Sequence, residues 1–380
     1  MTIYDEAMQA HRNLRGKLEV RSKVPLSSMH DLSVYYSPGV GGVADYLGKH
    51  PNETRIYTGT NNSVAIVSDG SAVLGLGNIG PEGALPVMEG KAMLFKQFAG
   101  IDAYPLVLST QDPDKIIETI VAIAPSFGGI NLEDIAAPNC FYIEAELKKR
   151  LHIPIMHDDQ HGTAIVVLAG LINACRVTGR SLKDCKIVLV GAGAAGVAIA
   201  KLLHDYAQPH IVAVDSKGIL TQHRSDLNQE KKLLLTFGDA QQPDGDLADA
   251  VKDADIFIGV SRGGLLTTEM VQTMAKQPII FAMANPEPEI LPDQAMAAGA
   301  AIVATGRSDY PNQVNNVLAF PGVFRGALDN QSPITDKHKL LAAEAIADIV
   351  RNPTVDMIVP NALDEKVVRA VSAVFLSDRK

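Results

Sequence analysis

Two acidic pairs in this 380-residue chain stand where they could hold a cation. Glu133-Asp134 lies at the end of GGINLEDI, and Asp158-Asp159 falls within IPIMHDDQHGT. Both close apolar, strand-like runs, so in a parallel sheet both would reach the carboxyl edge, where α/β folds bind ligands. Three or four carboxylates converging there repel one another strongly unless a cation lies between them. Oxygen-only donors favour Mg²⁺ or Mn²⁺ over zinc. A single acidic pair at a strand end is more often a helix cap or a solvated turn; two pairs at neighbouring strand ends shift the reading toward a metal. His157 and His161, four apart around the aspartates, suggest zinc by spacing. No HExxH glutamate follows His157, however, and the segment reads as a strand end, so each histidine is expected to pack or cap.

A second constellation is GAGAAG, formed by Gly191, Ala192, Gly193, Ala194, Ala195 and Gly196. A GxGxxG string alone is a weak signal. Here CKIVLVG precedes it as a strand and VAIAKLLHDY continues as a helix, the context that dinucleotide binding needs. Gly191 can make the tight turn, Gly193 can admit a pyrophosphate to the backbone, and Gly196 can let the helix pack closely on the sheet. The helix N-terminus adds unpaired donors and the positive end of its dipole. Asp215 ends the next strand, about twenty residues on, where an acid would accept from a ribose 2′-hydroxyl and repel a 2′-phosphate. That favours NAD. Lys217, His223 and Arg224 lie just beyond and could receive a phosphate, which keeps NADP as the lesser alternative.

Lys91, in MEGKAMLFK, interrupts an otherwise apolar amphipathic helix, and Gly90 and Ala92 leave room for a ligand beside it. Most helical lysines are solvated, and Lys96 reads that way. Tyr35 and Tyr36 open a turn at YYSPG, a structural feature when taken by itself.

The elements that must position these groups follow a βαβ rhythm. Strands are expected at TRIYTG, SVAIVSDG, AYPLVL and GGINLEDI, and helices at PVMEGKAMLFKQFAG, DPDKIIETIVAIA and APNCFYIEAELKKRL. The first forty residues read as helical and then irregular, broken by Pro25 and the SPG at 37–39. A long apolar helix from His161 to Gly179 leads to a second unit with strands at CKIVLVG, HIVAVD, DIFIGV, PIIFAMAN and AAIVATG. The expected fold is α/β with two domains and a tail. An N-terminal α/β substrate and metal domain covers 1–160, a Rossmann-type doubly wound parallel sheet covers 161–335, and a helical C-terminal tail covers 336–380.

With 47% hydrophobic and 20% charged residues, the chain has the balance of a globular protein. A formal charge of −9 excludes the basic stripe that nucleic acid needs. The N-terminus is charged throughout and does not read as a secretory signal. Apolar runs such as TAIVVLAGLINAC are too short to span a membrane. Cys140, Cys175 and Cys185 lack CxxC spacing and read as buried thiols in a reducing compartment, so a cytoplasmic location is expected.

The segments YYSPGV, SDGSAVLGLGNIGPEGALPVMEGKAMLFKQFAGIDA, NLEDI, HDDQHGTA, GAGAAG, FAMANPEPE and NQVNNVLAFPGVFRGAL run in this order from about residue 25 to 330. Together they closely resemble the malic enzyme family, particularly its short bacterial form. The resemblance implies oxidation and decarboxylation of malate to pyruvate and CO₂ with NAD and Mg²⁺ or Mn²⁺. It also implies a homodimer whose partners are malate, oxaloacetate and pyruvate, with no nucleic acid and no membrane. Tyr36 resembles the family's general acid and Lys91 its general base; Asp158 resembles the aspartate paired with that lysine. Glu133, Asp134 and Asp159 are similar to the metal ligands, and Asn285 and Asn316 to the asparagines that bind substrate together with the lysine. As a base Lys91 must be neutral, and burial beside a cation would lower its pKa. One departure stands out: where larger forms carry an arginine for a substrate carboxylate, this chain has Ser71-Ala72. A dedicated metal-dependent oxaloacetate decarboxylase would use the same metal, lysine and tyrosine, but the intact glycine fingerprint and Asp215 favour the dehydrogenase. A non-catalytic dinucleotide-binding regulator would not need Lys91, Tyr36 and the acidic cluster together.

Overall fold

The computed structural model describes residues 2–73, 75–238 and 242–378; Leu74, within the LGLG segment, lies outside them. The first sheet is built from β1 (Ser63–Ser68), β2 (Asp102–Val107), β3 (Gly129–Leu132) and β4 (Ile155–His157), in the order β2-β1-β3-β4 and parallel throughout. The second is built from β5 (Lys186–Val190), β6 (His210–Asp215), β7 (Gly218–Ile219), β8 (Ile256–Gly259), β9 (Ile279–Ala282) and β10 (Ile302–Thr305), in the order β10-β9-β8-β5-β6-β7. Every residue of β1, β8 and β9 is buried, because helices cover both faces of the sheets. The expected doubly wound parallel sheet is therefore present with one exception. Strand β7 turns back antiparallel to β6, with Val214 opposite Ile219.

Strand β5 lies between β6 and β8, where the winding reverses direction, and it is at the carboxyl ends beside such a reversal that open α/β sheets bind ligands. The helix Asp158–Thr178 joins the two sheets. It begins three residues earlier than the sequence suggests, with Asp158 and Asp159 in its first turn, where acids complement the positive end of the helix dipole. At 21 residues it is long and apolar enough to cross a membrane, contrary to the expectation that no run is. Its residues Ala164 to Cys175 are all buried in the protein core instead. All of these but Gly170 and Asn173 belong to one apolar cluster with Val64 and Ile66 of β1, Ile187 and Leu189 of β5, and Ile346 and Phe375 of the tail. Full burial of each such aliphatic side chain contributes about 1.5–3 kcal/mol, so this helix fixes the two carboxyl edges relative to each other.

Two expectations fail near the N-terminus. TRIYTG forms a short helix, Thr54–Tyr57, rather than a strand. Its threonines satisfy local carbonyls, Thr54 Oγ1 donating to Pro51 O (2.8 Å) and Thr58 Oγ1 to Thr54 O (2.7 Å), which competes with sheet pairing. The first forty residues begin helical as expected, over Ile3–Leu14, but a second helix, Met29–Tyr35, stands where an irregular path was expected.

Candidate active site

Strands β1, β3 and β4 are parallel neighbours, so the residues after them, Asp69, Glu133 and Asp158, emerge at one edge. Lys91 reaches the same edge from the helix Gly80–Ala99 and is only 6% exposed. Its Nζ donates to Glu133 Oε1 (2.6 Å) and to Asp158 Oδ2, and lies 4.2 Å from the centre of the Phe320 ring. Asn131 Nδ2 donates to Glu133 Oε2 (2.9 Å), and Asn316 Nδ2 to Asp158 Oδ2 (2.6 Å). The Asp134 N–H donates to Asp159 Oδ2 (2.8 Å). To do so Asp134 adopts φ 54°, a left-handed backbone that a non-glycine residue keeps only under tertiary constraint. Lys91, Glu133, Asp134, Asp158, Asp159 and Asn316, chosen from four separate sequence segments, thus meet at one place.

Burial dominates the electrostatics. It raises the Glu133 carboxyl against the pull of Lys91, and raises Asp158 to about 7. Asp159 is pushed up to about 6, by burial first and by Asp158 in addition, with Lys91 opposing. For Lys91 itself, burial works against the charge, yet Asp158, Glu133 and Asp159 together outweigh it and hold the ammonium above its ordinary pKa. The lowered lysine was expected beside a bound cation; here three carboxylates face Lys91 alone, and without further positive charge they retain its proton.

Among the described residues no three His, Cys, Asp or Glu side chains are already arranged as a metal cage; the lysine fills the gap between Glu133 and Asp158. The donor set nevertheless fits a hard divalent ion. It is all oxygen, it carries more negative than positive charge, and Asp158 Oδ1 is buried with no hydrogen-bond donor. The histidines do not contribute to a zinc site. Burial pushes His161 down to about 4, so the neutral ring donates Nε2–H to the Glu144 carboxylate (2.8 Å).

Two supports, Glu144 and Gly162, were not singled out in the sequence, and a third, Ser71, was noted only as a departure. Glu144 also accepts the His157 N–H (3.0 Å) with its other oxygen, and so ties the helix Asn139–Arg150 to the turn that presents Asp158 and Asp159. In sequence it is one of two acids in EAELKKR, with nothing to set it apart. Gly162 faces Asp158 so closely that a Cβ would stand 1.9 Å from Oδ1. Ser71, at the departure noted above, donates to Asp69 Oδ1 (2.6 Å) and accepts the Ala136 N–H (2.8 Å), bracing the loop after β1 on the loop after β3.

The glycine fingerprint lies at the carboxyl end of β5. Gly191 has φ 121°, and a Cβ there would meet Val260 O at 2.7 Å. At Gly196 a Cβ would stand 1.9 Å from Gly191 O, whereas at Gly193 it would meet nothing within 4 Å. Gly193 caps the helix Ala194–Ala207 without any side-chain hydrogen bond, leaving the first-turn N–H groups, Ala194 and Ala195 included, available to an anion. Ala192, between the two turn glycines, packs against the core. Asp215 ends β6 as expected, but both its oxygens are engaged by cations. Asn285 precedes a cis peptide bond to Pro286; its amide lies beside Gly306, and its carbonyl lies against Gly75 of the first unit.

Tyr36 is not part of this assembly. It caps the helix Met29–Tyr35, is 66% exposed, and its phenol makes no hydrogen bond or ring contact with the Lys91 cluster.

The family model described as "Malic enzyme, N-terminal domain" matches residues 15–148, and that described as "Malic enzyme, NAD binding domain" matches residues 160–374. A Bacillus subtilis protein named bifunctional malic/malolactic enzyme is 55% identical over 98% of this chain and 92% of its own length. A Halomonas elongata NADP-dependent malic enzyme is 45% identical, over 94% of this chain and 89% of its own. Among solved structures, an NAD-dependent malic enzyme from Thermotoga maritima superposes with a TM-score of 0.94 at 49% identity, covering 97% of this chain and 98% of that one.

Proposed function

This chain belongs to the malic enzyme family and carries out its reaction, the oxidative decarboxylation of malate to pyruvate; we propose that Lys91 and Tyr36 move the protons of that reaction. The observation that supports this reading is Lys91, buried at the carboxyl edge and in contact with both Glu133 and Asp158. Lys91 accepts the proton of the malate C2 hydroxyl once its own proton has gone, and Asp158 is the group in contact that can take it. Glu133, Asp134 and Asp159 would hold Mg²⁺ or Mn²⁺, which would supply Lewis acidity to the substrate oxygens. Glu133 and Asp159, once engaged by such an ion, would no longer support the protonated form of Lys91. Asn285 and Asn316 orient the substrate, Asn316 through the same Asp158 that faces Lys91.

The turn Gly191–Gly196 would hold the coenzyme, with NAD favoured by the placement of Asp215, and that coenzyme would supply the hydride acceptor for C2. Tyr36 donates the final proton to C3 after CO₂ leaves. Because the phenol stands outside the cluster, it serves only when its segment is seated. We assign that seating to a homodimer, whose second copy would cover the exposed Leu32, Tyr35, Val40 and Val43. Residues 1–160 would carry the metal and most of the substrate chemistry, and 161–335 the coenzyme together with Asn285 and Asn316; 336–380 make the tail. The three free, buried thiols suit the cytoplasm. Malate-dependent reduction of NAD in the presence of Mn²⁺, followed by absorbance, tests the reading. Oxaloacetate decarboxylation without any coenzyme reduction would replace it with the lyase alternative.

A further inference from the structure

Glu289 is a fully buried carboxylate that takes no part in the chemistry derived above. It ends the segment FAMANPEPE, four residues after Asn285. Its Oε1 accepts the Ser261 N–H (3.1 Å) and its Oε2 the Ala284 N–H (3.0 Å). Burial raises the carboxyl, and these main-chain donors oppose the rise; among the described residues no side-chain cation pairs with it. A carboxylate buried without a cation is costly and persists only where hydrogen bonds meet it. What this one does lies in the two groups it holds.

Ser261 and Ala284 stand just past the carboxyl ends of β8 and β9, which are parallel neighbours. Before Ser261 comes Val260, whose carbonyl lies against the glycine turn: a Cβ at Gly191 would meet it at 2.7 Å. After Ala284 comes Asn285, whose amide lies beside Gly306 and whose carbonyl lies against Gly75 of the first unit. The Glu289 side chain thus bridges the loop that abuts the coenzyme turn and the loop that carries a substrate asparagine. Strand β8 leaves room for the bridge, because a Cβ on Gly259 would stand 2.3 Å from Glu289 Cδ. Main-chain bonds close the outer part of the same loops, Gly264 N–H donating to Pro288 O (3.1 Å) and Leu266 N–H to Glu289 O (3.0 Å). The carboxylate reaches back from there to the strand ends.

We propose that Glu289 is a positioning residue for the malate reaction, which fixes Asn285, through Ala284, relative to the turn Gly191–Gly196. The proposal rests on the reading of Asn285 as a substrate-binding residue and names what places it. A carboxylate that only fastened two loops would affect stability and would act independently of Asn285.

Glu289→Gln keeps the shape but offers one acceptor oxygen, so one of the two N–H groups would face an amide NH₂. The test measures kcat/KM for malate in the wild type, Glu289→Gln, Asn285→Ala and the double variant, with AMP binding by calorimetry as the check on folding. Glu289→Gln should lose about ten- to a hundredfold, as a small misplacement of a substrate-holding group does. Its AMP affinity should hold, since the adenosine half lies on the other side of β5. Asn285→Ala should lose at least as much. The double variant should lose no more than Asn285→Ala alone, because one residue acts through the other. Gly259→Ala presses on the carboxylate from β8 without changing its chemistry; it should reproduce the loss and carries the test if Glu289→Gln does not fold. Losses that multiply in the double variant, or a folded Glu289→Gln within about twofold of wild type, would overturn the positioning role and leave that of Asn285 standing. Asn285→Ala with wild-type kcat/KM would overturn the substrate reading itself, and the positioning role with it.

Discussion

The Lys91 cluster and the Asp215 cluster are made of the same parts and behave oppositely. Around Lys91, three carboxylates share one cation in a buried setting, and the acids are raised toward neutrality. Around Asp215, three cations, Lys217, Arg224 and Lys231, share two carboxylates, Asp215 and Asp226, nearer the surface. There burial still raises Asp215, but Arg224 and Lys231 outweigh it and hold the acid below its ordinary value. Asp226 is likewise lowered by Arg224 first and Lys217 second. The ratio of charges, more than residue type, sets what each site accepts. The first is short of positive charge and suited to a metal ion; the second has one positive charge in excess, and its carboxylates stay ionised.

The largest expected effect comes from removing a carboxylate from the first cluster. Asp159→Ala should abolish turnover and Mn²⁺ binding by equilibrium dialysis while leaving AMP affinity nearly intact, because the two clusters lie on different sheets. Full activity in excess EDTA would show that no metal is needed and remove the contrast altogether.

Lys91→Ala should cost about 10²–10⁴-fold in malate oxidation, the usual loss of a general base. Tyr36→Phe should keep a single-turnover burst of NADH, since its proton moves after the hydride. Stopped-flow fluorescence on folded variants decides between them, and equal bursts would dissolve the assignment. A smaller change is expected from Glu144→Gln, which cannot accept from both the His157 N–H and His161. It should weaken Mn²⁺ by about tenfold, as loss of an outer hydrogen-bond partner commonly does, and lower the melting temperature. Unchanged metal affinity would mean that the turn holds Asp158 and Asp159 without it.

The smallest effect probes the sign of the second cluster. Asp215 is depressed in the folded state, so its contribution to stability is complete above the unfolded value of about 4 and is lost as pH falls through the lower folded value. The melting temperature of Asp215→Asn should therefore lie below that of wild type at neutral pH, and the gap should close as pH drops below about 4. A gap that persists undiminished into stronger acid would mean that the ion pairs contribute nothing to folding.

Local chemistry alone determined much of this protein. Apolar strand runs ending in acids, a strand–GxGxxG–helix passage and a lysine in an apolar helix specified two α/β units and most residues of the cluster, because each feature is a short-range pattern. The threonine-rich TRIYTG misled for the same reason: its side chains bond to nearby carbonyls, a choice that apolar alternation does not reveal. Only the tertiary structure could decide the rest. Whether Lys91 is protonated depends on how many carboxylates converge from other strands, and whether Asp215 is a free acceptor depends on an arginine nine residues away and a lysine on a later helix. Glu144 and Gly162 gain their roles only by proximity to one turn. Burial and summed charge belong to the packed assembly, and no single stretch of sequence contains them.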